Sequence, residues 1–329
     1  MNQKVQTALS FLGPIRHLMA DDEVTEIMVN APDDVWVKRY GAHPQKCTIG
    51  FSATQIMGVI TMLASVSNRQ VGDETSELRR AKIVSAGLPG FRVEAWATPV
   101  AVRGPAFTVR KLASRVYSMS HYVQSGAMPQ HVADLLVGLV LKKRNIFVAG
   151  ATGSGKTTFC NALLEQIPKH ERLLVIETIH ELQVSCPNHI FFEADEEQGY
   201  SINRLLVSVL RGLPERIIIG EVRGGEAYGL LKASNTGHPG SIATLHANSS
   251  IDTLERLEDM VLEGRPEMPI ESIRRRIANT RPYLLFMDQV LRDGRNQPTL
   301  TEILEVTGYE NGQYTFSSHY VHPRSTHES

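Results

Sequence analysis

The sequence predicts an α/β protein built as two domains, and three observations support this prediction. A glycine-rich segment at residues 150–157 lies between a short apolar run and a stretch with few helix breakers. Strand and helix signals alternate regularly after it, as a parallel, doubly wound sheet requires. The chain has 329 residues, which is more than one hydrophobic core usually organises, and the glycine-rich segment begins well inside it.

The residues before this segment mix helix and strand signals, so residues 1–113 are expected to form a smaller α+β domain. After an amphipathic start at 5–19, apolar residues recur at helical spacing over 53–67. Short β-like segments lie around that helix, at 26–30, 34–38, 91–96 and 106–110. A Ser-rich, more polar stretch predicts a linker over 114–129, and Pro129 suits the first turn of the helix that follows.

Residues 130–316 are expected to carry the parallel sheet. Strands are predicted over 146–149, 172–176, 189–192, 216–220 and 241–245, and helices over 130–143, 156–167, 202–211, 226–235, 251–263 and 270–278. Two apolar segments, 283–290 and 299–306, predict an antiparallel pair around the turn at Asp293-Gly294. The tail from 317 to 329 is rich in His, Ser and Thr, so we expect it to be poorly ordered.

The glycine-rich segment matches the P-loop pattern G-x-x-x-x-G-K-[ST], and its position between a strand and a helix makes the match specific. Its glycines allow successive N–H groups to turn inward around a phosphate, at the positive end of the helix. Lys156 is then expected to reach the β- and γ-phosphates of ATP, and the Thr157 hydroxyl to complete the shell of a Mg²⁺ ion. The predicted nucleotide-binding residues are Gly150, Ala151, Thr152, Gly153, Ser154, Gly155, Lys156, Thr157 and Thr158.

Acidic side chains follow two later strands. Glu177 and Glu181 come at and after the end of the apolar run 173–176, and Glu221 follows three isoleucines. A carboxylate at the carboxyl edge of such a sheet can hold a Mg²⁺-bound water or accept a proton from an attacking water. Two solvated acids in a loop are the alternative for Glu177 and Glu181. Arg223 is either a surface cation or a phosphate sensor.

A third segment, 236–248, has a Gly-Pro-Gly turn that leads into a strand. Thr244, His246 and Asn248 alternate there, so they are expected on one face. A single histidine at a strand end is usually structural. Beside a γ-phosphate and among other polar groups, His246 is a candidate for orienting water or sensing phosphate.

The composition limits the classes of function. With 42% hydrophobic and 21% charged residues and a formal net charge of −1, the chain does not have the basic character of a polyanion binder. Its longest apolar stretch is too short to cross a bilayer, and its N-terminus lacks the layout of a signal peptide, so we expect a cytoplasmic protein. Cys47, Cys160 and Cys186 are widely spaced, which favours reduced thiols over a metal site or disulfides.

Together these segments resemble the secretion ATPase, or traffic ATPase, superfamily. The P-loop, the acidic box at 177–181, the Walker B segment ending Gly220-Glu221-Val222-Arg223 and the histidine box through His246-Ala247-Asn248 occur in the family's order and spacing. The resemblance covers about residues 19–306 and is strongest to the type IV secretion and conjugal-transfer branch, which the N-terminal segments 26–30 and 90–94 also resemble. One departure is Thr178, which stands where the family usually has Asp.

The resemblance implies a homohexameric ring whose subunits carry a RecA-like P-loop ATPase domain behind the N-terminal domain. It implies that ATP lies at the junction of the two domains, where Arg92 and Arg110 match the family's phosphate-contacting positions; Arg103 matches less well. Glu221 would be the main catalytic acid, with Glu181 assisting and His246 sensing. ATP would close the N-terminal domain and hydrolysis would release it.

The resemblance also implies a function: to power a type IV secretion or plasmid conjugation apparatus, including pilus assembly, from the cytoplasmic side of the inner membrane. The partners would be the proteins of that apparatus, with peripheral membrane contact and no direct binding of nucleic acid. The first alternative is a RecA-like nucleic-acid motor, which should have a basic channel or an aromatic platform. A small-molecule kinase and a regulatory scaffold that does not hydrolyse ATP are the others.

Overall fold

The computed structural model describes residues 3–66, 83–88, 90–112, 116–196, 198–292 and 294–323. The chain divides into two compact units, one formed by residues 1–114 with 294–296 and the other by residues 115–293 with 297–329. The α/β fold class predicted from the sequence is confirmed.

The first unit is an α+β structure around an antiparallel sheet. Its sheet has the strand order β3-β2-β1-β6-β5-β4, and the paired strands run antiparallel. Its elements are α1 (Gln3–Phe11), a 3₁₀ turn (Gly13–Ile15), α2 (Arg16–Ala20), β1 (Val24–Ala31), β2 (Asp34–Arg39), β3 (Gln45–Cys47), α3 (Ala53–Val66), β4 (Ile83–Leu88), β5 (Phe91–Trp96) and β6 (Ala106–Lys111). The apolar stripe of α3, with Ile56, Ile60 and Leu63, is buried in one core with the inward-facing residues of the sheet.

The amphipathic start is not one helix. The pattern over 5–19 predicts a single segment, whereas the structure divides it into α1, the 3₁₀ turn and α2. Pro14 lies in the turn and has no N–H to donate, so an α-helix cannot run through it without losing a hydrogen bond. Leu12, Ile15 and Leu18 are nevertheless buried, so the broken segment still contributes apolar side chains to the core.

The second unit has an eight-stranded sheet in the order β14-β13-β12-β7-β11-β10-β8-β9. Its central strands, from β12 through β7, β11, β10 and β8 to β9, are parallel. The elements are α4 (Met119–Gln124), α5 (Gln130–Leu141), β7 (Ile146–Gly150), α6 (Lys156–Leu164), β8 (Leu173–Glu177), β9 (His189–Glu193), α7 (Ile202–Val209), β10 (Arg216–Ile219), α8 (Glu226–Asn235), β11 (Ile242–Leu245), α9 (Asp252–Gly264), α10 (Ile270–Asn279), β12 (Tyr283–Arg292), β13 (Arg295–Glu310) and β14 (Gln313–Val321).

Both faces of the sheet are covered at its centre, which explains why β7, β8, β10 and β11 are buried along their whole length and mainly apolar. In β7, Ile146 and Val148 belong to one core cluster, and Phe147 and Ala149 belong to the cluster on the other face. The first cluster includes α5 and α6, and Cys160 is a packing residue within it. The second includes apolar residues of α7 to α10.

Residues 119–128, assigned to a linker on composition, pack into the second unit. Met119, Tyr122, Ala127 and Met128 are buried in the cluster that contains α6, and Tyr122 packs edge-on against Phe159 at 5.0 Å between ring centroids. The structure therefore differs from the predicted linker over 114–129. The polar composition of this stretch concealed four buried apolar residues, two in α4 and two shortly after it.

The tail also differs from the expectation. Residues 317–321, predicted to be poorly ordered, are the second half of β14, which pairs antiparallel with β13. The backbone N–H of His322 donates to the carbonyl of Thr301 at 2.7 Å, and the Tyr314 hydroxyl donates to Glu258 Oε1 at 2.9 Å. Residues 324–329 lie outside the described residues.

Candidate nucleotide-binding site

The strand order places the four sequence boxes side by side. The P-loop follows β7, the histidine box follows β11, the Walker B segment follows β10 and the acidic box follows β8, and these four strands are consecutive neighbours. Because they run parallel, their carboxyl ends lie at one edge of the sheet. Segments up to about a hundred residues apart in sequence thus meet at a single site.

The P-loop has the backbone geometry that its glycines predict. Gly150, Gly153 and Gly155 have φ values of 150°, 78° and 89°, in the region that favours glycine. A Cβ on Gly150 would lie 2.2 Å from the carbonyl oxygen of Met287, and one on Gly155 would lie 2.8 Å from Pro298 Cβ. Both positions therefore require glycine for space as well as for conformation.

Lys156 lies at the first position of α6, with its ammonium group directed back over the loop. Its Nζ donates to the carbonyl oxygens of Gly150 at 2.8 Å and Ala151 at 2.7 Å, and lies 3.4 Å from Nδ1 of His246. The side chain is buried. A buried cation at the positive end of a helix is suited to binding a phosphate oxygen.

Glu221, Arg223 and His246 form one polar cluster with Lys156. Glu221 Oε2 accepts a hydrogen bond from Arg223 Nη2 at 2.5 Å, and Glu221 Oε1 lies 3.1 Å from His246 Nε2. Since an ammonium group can only donate, its approach to Nδ1 favours the neutral tautomer of His246 whose Nε2–H points to Glu221. His246 thus joins the P-loop lysine to the Walker B acid.

The surroundings set the protonation of this cluster. Burial opposes ionisation of Glu221, but the hydrogen bond and charge of Arg223, with the charge of Lys156, hold the pKa of its carboxyl below the ordinary value. Burial, together with the charge of Lys156, lowers the pKa of His246 against the opposing effect of Glu221. At neutral pH the site therefore holds an ionised Glu221 and a neutral His246, the forms that can accept a proton or orient a water.

Glu177 has a different environment from Glu221. It is buried, and its Oε1 accepts hydrogen bonds from the backbone N–H groups of Glu181 at 3.1 Å and Leu182 at 3.0 Å. His180 Nδ1 lies 3.3 Å from its Oε2. Burial raises the pKa of Glu177, and the two backbone donors and His180 oppose that shift. These contacts suit a side chain that shapes the loop after β8.

Glu181 lies in the loop that Glu177 shapes. The pKa of Arg223 is raised, chiefly by its hydrogen bond to Glu221 and by the charge of that carboxylate. The charges of Glu226 and Glu181 add to this shift. The charge of the acidic box therefore acts on the cluster through Arg223. Two residues that the sequence did not single out also contact these loops: Gln289 Nε2 donates to the Gly153 carbonyl at 2.7 Å, and Asn161 Oδ1 accepts from the Gln183 N–H at 2.9 Å.

The histidine box does not present three side chains on one face. Thr244 is buried and donates to the carbonyl of Gly220 at 2.5 Å, which ties β11 to the residue before Glu221. The backbone N–H of Asn248 donates to Asp252 Oδ2 at 2.6 Å, at the start of α9. The strand ends at Leu245, so the alternation stops before Asn248.

Arg92 and Arg110 lie in the first unit, as Cα partners on the adjacent strands β5 and β6. The inward residues Val93 and Val109 are buried, so both arginines lie on the opposite face of the sheet. Arg110 forms an ion pair with Glu26 at 2.8 Å. Arg103 Nη1 lies 3.8 Å from Asp34 Oδ2. The contact of Arg92 and Arg110 with the phosphates of ATP stays a prediction.

The oxygen donors at this edge fit a magnesium ion bound through a nucleotide. Thr157 offers a hydroxyl and Glu221 an ionised carboxylate, both of which are hard oxygen ligands. Among the residues that the structure describes, no group of three or more His, Cys, Asp or Glu is placed to hold a metal ion unaided. A Mg²⁺ ion that keeps several waters and binds mainly to phosphate needs no such group.

A P-loop between a strand and a helix, with a carboxylate and a histidine on the neighbouring strands, defines a nucleotide-hydrolysing P-loop enzyme. The sequence family described as Type II/IV secretion system protein matches residues 9–279. This chain therefore belongs to that family, and it is an ATPase.

Individual proteins agree with this assignment. The conjugal transfer protein TrbB of Rhizobium radiobacter is 33% identical over 306 residues, which cover 92% of this chain and 89% of that protein. The type IV secretion system protein VirB11 of Brucella suis biovar 1 is 32% identical over 317 residues, with 86% of each chain covered. The X-ray structure of the Legionella pneumophila ATPase DotB superposes with a TM-score of 0.64 at 19% identity, covering 93% of this chain and 82% of that one, and shows the same fold.

In the part of the chain that the structure describes, no helix is both long enough and apolar enough to span a membrane.

Proposed function

We propose that this ATPase powers a type IV secretion or plasmid conjugation apparatus from the cytoplasmic face of the inner membrane. The observation that carries the proposal is the cluster of Lys156, His246, Glu221 and Arg223, which unites three sequence boxes at one end of a P-loop sheet. The similarity to proteins named for conjugal transfer and type IV secretion supports this setting.

In this proposal the members of the cluster have different tasks. The P-loop amides and Lys156 bind the β- and γ-phosphates of ATP. The ionised Glu221 orients the attacking water and accepts its proton, and His246 fixes the direction of the carboxylate through its Nε2–H. Arg223 neutralises charge on Glu221, and Glu181 assists. Thr157 and Glu221 would hold Mg²⁺, which neutralises charge on the β- and γ-phosphates when bound.

The working assembly proposed here is a homohexameric ring. Arg92 and Arg110 would complete the site from the N-terminal domain by contacting the phosphates of ATP, and closure of that domain would convert hydrolysis into motion. Guanidinium groups suit this task because they stay charged and offer several donors to phosphate oxygens. The proteins of the secretion apparatus are the proposed partners, with peripheral membrane contact.

The replacement Glu221→Gln tests the role of Glu221. It keeps the shape and removes the negative charge, so we expect phosphate release to fall by about 10²–10⁴-fold while ATP binding is retained. Phosphate release measures turnover, and a fluorescent ATP analogue measures binding. Normal turnover in purified Glu221→Gln protein would contradict the assignment.

Glu193→Gln is the matched control. Glu193 is an exposed residue at the carboxyl end of the edge strand β9, in register with Glu177. The same chemical change there should leave turnover within about twofold of the unchanged protein, because surface substitutions seldom affect chemistry. An equal loss in both variants would indicate a general effect of removing carboxylates from this edge.

The alternative of a nucleic-acid motor has a direct test. A motor of that class should hydrolyse ATP faster when single-stranded DNA is present. We expect no stimulation here, because a formal net charge of −1 offers no general attraction for a polyanion. A salt-sensitive increase in phosphate release on adding single-stranded DNA would favour the alternative.

A further inference from the structure

A buried asparagine on the P-loop helix contacts the loop that carries Glu181. Asn161 is fully buried in α6. Its Oδ1 accepts from the Gln183 N–H at 2.9 Å, and its Nδ2 donates to the Glu181 carbonyl at 3.4 Å. The side-chain amide therefore forms hydrogen bonds with the backbone on both sides of Leu182. A buried amide with both ends satisfied by one loop fixes the position of that loop.

The position of Asn161 along the helix relates its two hydrogen bonds with the loop to the nucleotide site. Thr157 and Asn161 are four residues apart in α6, so they lie on the same face of the helix, one turn apart. Thr157 is the predicted magnesium ligand of the P-loop. The helix therefore sets the distance between the magnesium position and the loop that Asn161 holds.

The loop has a second anchor on its other side. The carboxylate of Glu177 accepts the N–H groups of Glu181 and Leu182, so the backbone at these two residues is held from β8 as well as from α6. Both anchors are buried. With its backbone held from two elements, Glu181 has little freedom to move relative to Arg223 and the P-loop.

We propose that Asn161 is a positioning residue for ATP hydrolysis, which places Glu181 relative to Thr157 by holding the backbone of residues 181–183. This inference rests on the proposed role of Glu181 as an assisting acid. In this proposal Asn161 acts on the loop backbone and not on the nucleotide. Its effect on turnover passes through Glu181.

The first test separates turnover from binding and from stability. Asn161→Leu keeps nearly the same side-chain shape but loses both hydrogen bonds, and Asn161→Ala loses both hydrogen bonds and leaves a cavity. We expect kcat to fall by about 10- to 100-fold in each, because a small displacement of a catalytic group has effects of this size. KM for ATP and the affinity for a fluorescent ATP analogue should stay within about twofold.

Cys160→Ala is the matched control. Cys160 is the preceding residue of α6, is also fully buried and packs into the core on one face of the sheet. Its truncation should lower the melting temperature, as a loss of packing does, and leave kcat within about twofold. If Cys160→Ala lowers kcat as much as Asn161→Ala does, the effect of Asn161 is on the stability of the helix and the proposal is wrong.

The second test asks whether Asn161 acts through Glu181. If it does, the double variant Asn161→Leu with Glu181→Gln should be no more than about twofold slower than Glu181→Gln alone, since the positioned group is already lost. A double variant whose loss is the product of the two single losses would overturn the proposal. The same holds if the Asn161 variants retain normal kcat.

If the proposed function is wrong, other measurements will show it than those that test Asn161. If Glu181→Gln hydrolyses ATP at the normal rate, Glu181 is not an assisting acid. A slow Asn161→Leu variant beside it would then show that Asn161 acts through another group. Absence of phosphate release from the unchanged protein, in the presence of ATP and Mg²⁺, would instead contradict the role of the whole site. Asn161→Leu nearly keeps the side-chain shape and adds no charge, so it is the variant for this comparison if Asn161→Ala does not fold.

Discussion

At the scale of single residues, His246 is held between a cation and an anion. It contacts the ammonium group of Lys156 through Nδ1 and the carboxylate of Glu221 through Nε2. Burial and the charge of Lys156 lower its pKa from the ordinary value of 6.5. A neutral imidazole can accept from one neighbour and donate to the other, whereas a protonated one would bring a positive charge against Lys156. The site is therefore built for neutral His246.

This arrangement predicts a dependence of stability on pH. The unfolded chain binds the His246 proton more tightly than the folded protein, so stability falls as the pH drops below 6.5. We expect the melting temperature of His246→Gln to fall less than that of the unchanged protein between about pH 7.5 and about pH 5.5, by on the order of 1–2 °C. Thermal unfolding in matched buffers measures the difference.

Glu221 does not obscure this comparison. Its pKa is lowered from 4.5, so the stability it contributes is present above 4.5 and is lost only as the pH falls through its lower folded value. His17→Gln serves as the control, because His17 is an exposed residue of α2. An equal fall in melting temperature for His246→Gln and the unchanged protein would contradict the prediction.

At the scale of secondary-structure elements, Arg216 joins three of them at the amino edge of the parallel sheet. It is the first residue of β10 and is fully buried. Its Nε donates to Glu171 Oε2 at 2.6 Å, just before β8. Its Nη2 donates to Glu171 Oε1 at 3.1 Å and to the Val140 carbonyl of α5 at 2.8 Å. The edge of the sheet opposite to the nucleotide site is thus fixed by a buried ion pair.

Breaking this pair should be costly. Arg216→Ala leaves the Glu171 carboxylate buried without its main partner, and we expect the free energy of unfolding to fall by about 3–5 kcal/mol. Urea unfolding followed by circular dichroism measures it. The double variant Arg216→Met with Glu171→Leu removes both charges and should recover much of the loss. A double variant as unstable as Arg216→Ala would show that the stabilisation comes from packing.

Strands with a continuous apolar pattern could be predicted from the sequence, whereas a strand with mixed polar and apolar residues could not. The apolar runs of β7, β8 and β10 were identified because burial on both faces favours apolar residues at successive positions, and the P-loop was identified by its motif. In contrast, β14 was missed because the Ser and His residues at 317–319 interrupt its apolar residues. The recurrence of Tyr314, Phe316 and Tyr320 at even spacing was the available signal.

The residues of the nucleotide-binding site could likewise be predicted only in part. Glu221 and His246 could be predicted because each follows a recognisable strand, and Lys156 because it completes the P-loop pattern at the start of α6. Asn161 and Gln289 could not, since their roles depend on backbone atoms of loops that are distant in sequence. Nor could the sequence distinguish Glu177 from Glu181, because burial against a loop follows from the fold and not from residue type.

At the scale of the whole molecule, the predicted ring has a direct test. We expect the purified protein to form hexamers in the presence of ATP and Mg²⁺, and phosphate release per subunit to fall on dilution as the assembly dissociates, since assembly depends on subunit concentration. Size-exclusion chromatography with light scattering, coupled to phosphate release, measures both. A monomer with full activity would contradict the ring.

The order of strands in the second sheet has a consequence for biosynthesis. The strand that carries the P-loop, β7, is an early strand of its sheet, yet it lies between β11 and β12. These neighbours leave the ribosome on the order of a hundred or more residues later, so a nascent chain cannot pair β7 until long after it has emerged. Gln289, which donates to the Gly153 carbonyl, lies in β12 itself, and Pro298, which lies against Gly155, is translated later still. The phosphate cradle is among the first parts of this domain to be translated and among the last to take shape.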